Sequence, residues 1–456
     1  MTTSTMSLGK KDYGYLGPRI RQLAWPAILE MGLHMLVGVV DTAMVGQLGA
    51  QELAAVALGS RVVFSTIFVF AAVGTGAAAL VSRFVGAGDK AKAGRVAGQA
   101  LALAFLLGLI MAAGGHLVAG VLFRLSKTEL VVQQLAADYF KIVSGATLFM
   151  LPLFVENALL RGAGDTRTPL VLALFTNIIN IIGDYVLIFG WGKIPPLGVA
   201  GAAWATAGAQ IIGAVLGLAL AFTGRLALSV PLSDLMAWDS KLVQRILSLS
   251  IPAALEELTY TISSLAVFFL IGRLGTTALA AHQIAITAES FSYMPGFGFA
   301  IAASTLVGQH LGAGDKDGAF KSGGLTAHYS LIVMGVMGAI FFLFPGFIAR
   351  FFTNDPNVVQ LAATCIRIAA LEQMPIALEQ VMAGSLRGAG DTRYPFRVAL
   401  LGNWVLRLPL VLLAVVVFKW PLWSVWIITV VDFCLRATLL IGRYRSRRWV
   451  TVCSSL

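Results

Sequence analysis

Apolar residues fall in twelve long runs, separated by short connections rich in Gly, Asp and Pro. They lie near 22–44, 53–79, 96–121, 136–158, 169–190, 199–222, 246–270, 278–306, 323–348, 358–383, 396–417 and 421–441. A membrane-spanning helix needs about 20 such residues, so each run predicts one span. The stretch from 224 to 245, with Pro231, Asp234, Trp238, Asp239 and Lys241, is the longest polar connection.

The pattern repeats. Arg161-Gly-Ala-Gly-Asp-Thr-Arg-Thr-Pro169 returns as Arg387-Gly-Ala-Gly-Asp-Thr-Arg-Tyr-Pro395, an offset of 226. Gly86-Ala-Gly-Asp-Lys90 returns at Gly312, Gly46-Gln-Leu-Gly49 pairs with Gly272-Arg-Leu-Gly275, and Pro26-Ala-Ile-Leu-Glu30 pairs with Pro252-Ala-Ala-Leu-Glu256, all at that offset. The chain is a duplicated six-helix unit, all α. An even unit places both halves in the same orientation, with their symmetry axis along the membrane normal. We divide it into a lobe at 1–223, a linker at 224–245 and a lobe at 246–456.

Composition agrees. Of 456 residues, 58% are hydrophobic and 12% charged, and mean hydropathy is +0.84. Soluble domains carry about 25% charged residues, so a soluble enzyme, a disordered chain and a coiled coil are excluded. The net charge of +11 has a topological explanation. With the N-terminus inside, inner segments hold 22 Lys and Arg and outer loops six, which orients both termini to the cytoplasm. No basic stripe with interleaved aromatics suggests nucleic acid. Cys365, Cys434 and Cys453 form no CxxC pair, hence no disulfide framework or zinc spacing. Residues 1–18 lack the apolar core of a cleavable signal, so the first span is expected to act as the insertion signal.

Carboxylates inside apolar spans are costly and need a reason. Glu30, Asp41, Asp184, Glu256, Glu257, Glu289, Glu372 and Glu379 are the candidates; Glu156 and Asp432 lie nearer span ends. Asp41, about 30 Å past Arg21, falls in the outer half of span one, and Asp184 sits at comparable depth on span five. Asn177, Asn180 and Asp184 form one stripe at i, i+3, i+7; Thr206 and Gln210 on span six can face the same space. Two desolvated carboxylates sharing a site suit an exchange of a proton for a cation. The mainly acidic embedded charge suits cationic substrates. Glu372 and Glu379 share a face of span ten, and His282 and Glu289 share one of span eight. Met31, Met35 and Met44, with Tyr293, Met294, Phe297 and Phe299, are candidate cavity walls, since Met and aromatics adapt to many ligands. Pro26 removes a backbone hydrogen bond inside span one and predicts a kink, static or switching.

Enzyme signatures are weak. HExxH and GxSxG do not occur. His310-x4-Asp315 imitates an acyltransferase motif, but Phe84 stands at the repeat position of His310, so only the turn is duplicated. The RGAGDT loops lack the GxxxxGK[ST] of a phosphate loop and are expected to be matching turns, with Asp165 capping the next helix ahead of Pro169. No ATP site and no cofactor are expected, so energy must come from an ion gradient.

Val40-Asp-Thr-Ala-Met-Val-Gly-Gln-Leu-Gly49 and the doubled Leu-Arg-Gly-Ala-Gly-Asp-Thr at 160–166 and 386–392 resemble the multidrug and toxic compound extrusion (MATE) family over nearly the whole chain. The resemblance implies two six-helix lobes forming an open V, and export of small amphipathic, often cationic compounds driven by inward protons or sodium. It is nearest to the DinF-like branch, in which a first-span Asp and a fifth-span Asp–Asn cluster handle the proton. Asp41, Asp184, Asn180 and Thr206 match those positions, and Asn177 lies on the same stripe as a further proton-coupling candidate. It also implies that bending at Pro26 accompanies proton binding. Sodium-coupled NorM members use a seventh-span Glu with a tenth-span acid. Glu256 or Glu257 with Glu372 or Glu379 offers that pair, although Leu371-Glu-Gln-Met-Pro375 departs from the pattern. The expectation is therefore a proton-coupled drug antiporter, monomeric, in the inner (plasma) membrane. The alternatives are sodium coupling and a lipid-linked precursor flippase of the same superfamily.

Overall fold

A computed structural model describes residues 13–223, 228, 230 and 232–452; Lys10, Lys11, Arg225, Pro231 and Cys453 lie outside the described residues. Twelve helices among them are long and apolar enough to cross a membrane. In the first lobe they are α1 (Leu16–Gly46), α2 (Ala50–Gly86), α3 (Lys90–Arg124), α4 (Leu130–Ala163), α5 (Arg167–Phe189) and α6 (Val199–Phe222). In the second they are α7 (Ser240–Gly272), α8 (Thr276–Gly312), α9 (Lys316–Leu343), α10 (Pro356–Gly388), α11 (Arg393–Val417) and α12 (Trp423–Arg445). Most overrun their apolar runs by several residues, because polar caps carry the helix beyond the hydrocarbon layer. Asp89 accepts from the Lys92 amide at 3.0 Å to start α3, and its repeat counterpart Asp315 accepts from Gly318 N at 3.2 Å to start α9. Asp165 accepts from Arg167 N and Thr168 N ahead of α5, as expected. The second glycine of each RGAGDT motif, Gly164 and Gly390, adopts φ +94° and +85°, a left-handed turn that side chains resist.

The linker is shorter than its polar run. Asp239 accepts from Lys241 N and Leu242 N, so α7 begins at Ser240 and takes in the last six residues assigned to the connection. Ahead of it a short helix, Leu232–Met236, lies on α3, where Gln99 donates to Asp234 O at 2.7 Å and accepts from Asp239 N at 2.9 Å.

The duplication is visible in the packing. Gly86 of α2 lies against the Gln309 backbone of α8 so closely that no Cβ would fit, and Gly312 of α8 meets the Arg83 backbone of α2 in the same way. Residues 83 and 309, like 86 and 312, are repeat mates. Ser82 and Gly308, also repeat mates, touch each other. The pseudo-twofold axis therefore passes between α2 and α8 at this point.

Among the described residues, four large apolar clusters and a small one around Met334, Ile376 and Phe433 make up the core. Two of the large clusters lie within single lobes, one around Phe123, Met150 and Val45, the other around Ile366, Val411 and Trp426. The other two large clusters cross between lobes. Leu16, Ile20, Leu23 and Ala24 of α1 pack with Phe299, Leu386 and Trp449, and Ile246 and Leu249 of α7 pack with α2, α3 and α4. The lobe boundary drawn at 223 thus does not separate the cores cleanly: the start of α1 is seated among helices of the second lobe. Tyr13 donates to Asp315 at 3.0 Å and Arg447 reaches Asp317 at 2.8 Å, so both described chain ends lie at this joined end. Pro26 sits within α1, which runs as one helix.

Candidate functional site

Between the lobes lies a cavity of about 810 Å³. Met31, Met35, Tyr293, Met294 and Phe297 line it, as their types suggested, joined by Phe68, Phe154, Trp426 and Phe433. Met44 packs instead against the first-lobe core, and Phe299 is buried in the joined end. The polar lining corrects the view of an acidic interior. Glu257 and Glu289 face the cavity, but so do Arg161, Arg387 and Arg407, with His34, Tyr260 and His282. His282 stands edge-on to Trp426, and its buried Nδ1 has no hydrogen-bond partner among the described residues.

Asp41 and Asp184 do not line this cavity. They meet inside the first lobe, their carboxyl groups within hydrogen-bond reach of each other. Asp184 is fully buried, and neither of its oxygens nor Oδ1 of Asp41 meets a donor among the described residues. Two ionised carboxylates cannot face each other in this way without a proton or cation between them. The expected stripe is present: Asn177, Asn180 and Asp184 are all buried on α5. Asn177 donates to the Leu33 carbonyl of α1 at 2.8 Å, which ties α5 to α1. Thr206 is buried on α6 beside Tyr139 of α4, whose hydroxyl lies in the field of both aspartates.

The second-lobe acids divide differently from the pairing offered by sequence. Glu256 lies 3.7 Å from Arg387 rather than against a carboxylate of α10 alone. Glu379 sits in the combined field of Arg436, Glu256 and Arg387. Glu372, fully buried, faces Glu289 of α8. Asp432 is not near a span end: it is the buried centre of an ion cluster. Arg436 clasps it with Nε at 2.9 Å and Nη2 at 2.7 Å, and Arg407 Nε stands 2.9 Å away. Arg436 also donates to Asn403 at 2.6 Å. Arg407 and Asn403 come from a wide π-type segment of α11, Leu401–Arg407, a distortion that turns their side chains together. The signal that could have found this cluster was available: an arginine inside an apolar run is as costly as a glutamate.

A second feature was read only as a turn. Arg161, the first residue of its RGAGDT motif, reaches back to Glu30 of α1 at 2.7 Å. The Arg387–Glu256 contact is its repeat copy. The two duplicated motifs, Pro-x3-Glu and RGAGDT, are thus two halves of one duplicated ion pair at the cavity wall.

The MatE family pattern matches residues 26–186 and 252–413, one copy per lobe. The probable multidrug resistance protein NorM of Thermotoga maritima is 32% identical over 450 residues, 97% of this chain and 95% of that protein. An outward-facing multidrug resistance MATE transporter of the MOP superfamily superposes with a TM-score of 0.89 at 21% identity, covering 96% of each chain. A MOP-superfamily transporter from Pyrococcus furiosus, described as having a binding pocket of reversed polarity that suggests a different function, superposes with the same TM-score and identity, covering 96% of this chain and 97% of that one.

Proposed function

Since this chain belongs to the MatE family, we propose that it exports small amphipathic organic compounds across the plasma membrane in exchange for inward protons. The carrying observation is the Asp41–Asp184 pair inside the first lobe, Asp184 fully buried and Asp41 half-buried, with both Asp184 oxygens and Oδ1 of Asp41 meeting no donor among the described residues. A proton between them satisfies both groups, and its loss leaves two facing charges. Asn177 ties α5 to the α1 backbone two residues before Met35 of the cavity wall. A rearrangement of the pair is thereby transmitted to the substrate space.

With both termini cytoplasmic, the joined end of the bundle faces the cytoplasm and the cavity opens outward. Alternating access then requires the α2–α8 seam at Gly86 and Gly312 to part. One charge moving inward across 100 mV supplies about 2.3 kcal/mol. That supports a substrate gradient of roughly 50-fold.

Proton coupling is favoured over sodium because Glu256, the seventh-span acid, already has a cation of its own. Arg387 stands against Glu256, and Arg407 and Arg436 crowd Asp432. The second reading is a lipid-linked precursor flippase, favoured by the three arginines of the wall. Two of them are in ion pairs with Glu30 and Glu256 and the third with Asp432, so the cavity is not a bare basic one.

The test uses proteoliposomes loaded with a fluorescent organic cation, under a pH gradient or a sodium gradient imposed separately. Wild type is expected to respond to the pH gradient alone. Asp41→Asn and Asp184→Asn should each lose that response, and the double variant should lose no more, because the pair acts as a unit. Normal efflux in either single variant would overturn the assignment. Flux driven only by sodium would move coupling to the second lobe, and no flux under either gradient would promote the flippase.

A further inference from the structure

Glu156 is a buried acid for which the reading above has no use. It lies on α4, 2% exposed, and both carboxylate oxygens are sealed from solvent without a hydrogen-bond partner among the described residues. It is not part of the cavity wall. Its oxygens face α6 at Gly217, where a Cβ would stand 2.6 Å from Oε2. The glycine leaves the carboxyl its space. Among the described residues no charged side chain offsets it: it forms no ion pair and no hydrogen bond with α2, α3, α5 or α6. A lone ionised carboxylate in such a place is prohibitively costly, whereas a carboxyl that gains and loses a proton as the surroundings open has a use.

Its position relative to the aspartate pair gives that use. Thr176, Asn180 and Asp184 recur at i, i+4, i+8, one buried stripe along α5. Gly213 of α6 abuts Thr176, and Gly217, one turn further toward the joined end, abuts Glu156. Asp184 lies about 25 Å from the α5 start at that end, Asn180 about 20 Å, Thr176 about 14 Å, and Glu156 about 10 Å from the corresponding end of α4. Polar side chains therefore succeed one another at steps of about 5 Å from the aspartate pair toward the joined end. Leu153 and Leu172 stand alongside this stretch, and Asn157, beside Glu156 on α4, is a further buried polar group.

We infer that Glu156 is the inner proton-binding station of the first lobe, receiving the proton released from the Asp41–Asp184 pair and passing it to water at the cytoplasmic end. The inference rests on the proton-coupled reading. The step is a simple proton transfer: the aspartate O–H bond breaks, a glutamate O–H bond forms, and later re-ionisation delivers the proton inside. Water within the column carries the hop, hydrogen-bonded by the Thr176 hydroxyl and the Asn180 amide. Asn180 Nδ2 has a donor to offer it, being buried without a partner among the described residues.

The experiment reconstitutes the full chain in proteoliposomes with a pH-sensitive dye inside. It records pH-driven efflux of a fluorescent organic cation together with proton uptake, and, separately, one-for-one exchange of labelled for unlabelled compound at equal pH. Glu156→Gln should lower pH-driven efflux and proton uptake at least tenfold, while exchange, which needs no net proton delivery, falls less than threefold. Glu156→Asp should recover most of the coupled rate with a displaced pH–rate profile, which a merely structural role would not produce. Wild-type coupled rates in Glu156→Gln overturn the inference, as does an equal fall of coupled efflux and exchange in both variants. If Glu156→Gln fails to fold, an unmoved pH–rate profile in Glu156→Asp overturns it alone. A wild-type protein indifferent to the pH gradient removes the proton-coupled reading itself, an outcome distinct from any of these.

Discussion

Arg161 donates to Glu30 across the first lobe at 2.7 Å, and 226 residues later Arg387 approaches Glu256 at 3.7 Å. The copies differ in burial as well as length. The Glu30 side chain is 1% exposed, that of Glu256 16%. Removing one partner of a buried pair strands the other charge, at a cost of about 3–5 kcal/mol, while a longer and wetter pair costs less. Arg161→Gln should therefore destabilise the detergent-solubilised protein clearly more than Arg387→Gln. Adding Glu30→Gln to Arg161→Gln should restore part of the loss. A double-mutant cycle in thermal unfolding checks this; equal shifts for the two arginines would show that the copies are equivalent.

The contact between Ser82 and Gly308 on the pseudo-twofold axis offers a lock. A Cβ at Gly308 would stand 2.9 Å from Cβ of Ser82, short of the roughly 3.5–4.5 Å of a disulfide, so the seam must ease apart slightly to take the bridge. In a background lacking the native cysteines, the pair Ser82→Cys and Gly308→Cys should cross-link on oxidation and hold the joined end shut. Efflux should stop and return with a reductant. Oxidised, cross-linked protein that still transports would show that this seam does not part during the cycle.

Asp89 provides a pH dependence outside the spans. The Lys92 side chain, then its amide, hold the Asp89 carboxyl below the usual carboxylate range. A carboxyl depressed in the folded state stabilises it at neutral pH, and that contribution is lost as pH falls through the depressed value. The start of α3 should weaken on acidification, and Asp89→Asn should lose less stability than wild type between neutral pH and the acid limb. Thermal unfolding across that range measures it. An identical acid loss in both proteins would assign the effect elsewhere.

Much of the architecture was legible along the chain because hydrocarbon imposes a one-dimensional rule. Each crossing must be a helix with an apolar length matched to the bilayer, so twelve runs meant twelve helices. Duplication was equally local, since the offset of 226 is carried by glycines and aspartates whose turn and capping geometry recurs unchanged. Asp41 and Asp184 could be matched by depth, because rise per residue converts position into height.

Partnership across helices was not legible, because it depends on rotation and on which helices become neighbours. Glu256 was offered a carboxylate partner and stands against Arg387; Asp432, placed near a span end, is held by Arg436 and Arg407. A helix puts every residue at a known height but not at a known azimuth, and the π-type turns of α11 alter the azimuth of Asn403 and Arg407 in a way no periodic pattern announces. Arg161 and Glu30 lie 131 residues apart, and only the packing of α1 and α4 on their shared neighbours α2 and α8 brings their charges together. The sequence by itself determined how many helices cross, the turns that the two halves share and the depth of Asp41 and Asp184. The tertiary structure decided which charges neutralise one another and which, like Glu156 and Asp184, stand without a donor among the described residues, because electrostatic energy at these sites depends on separations of a few ångströms.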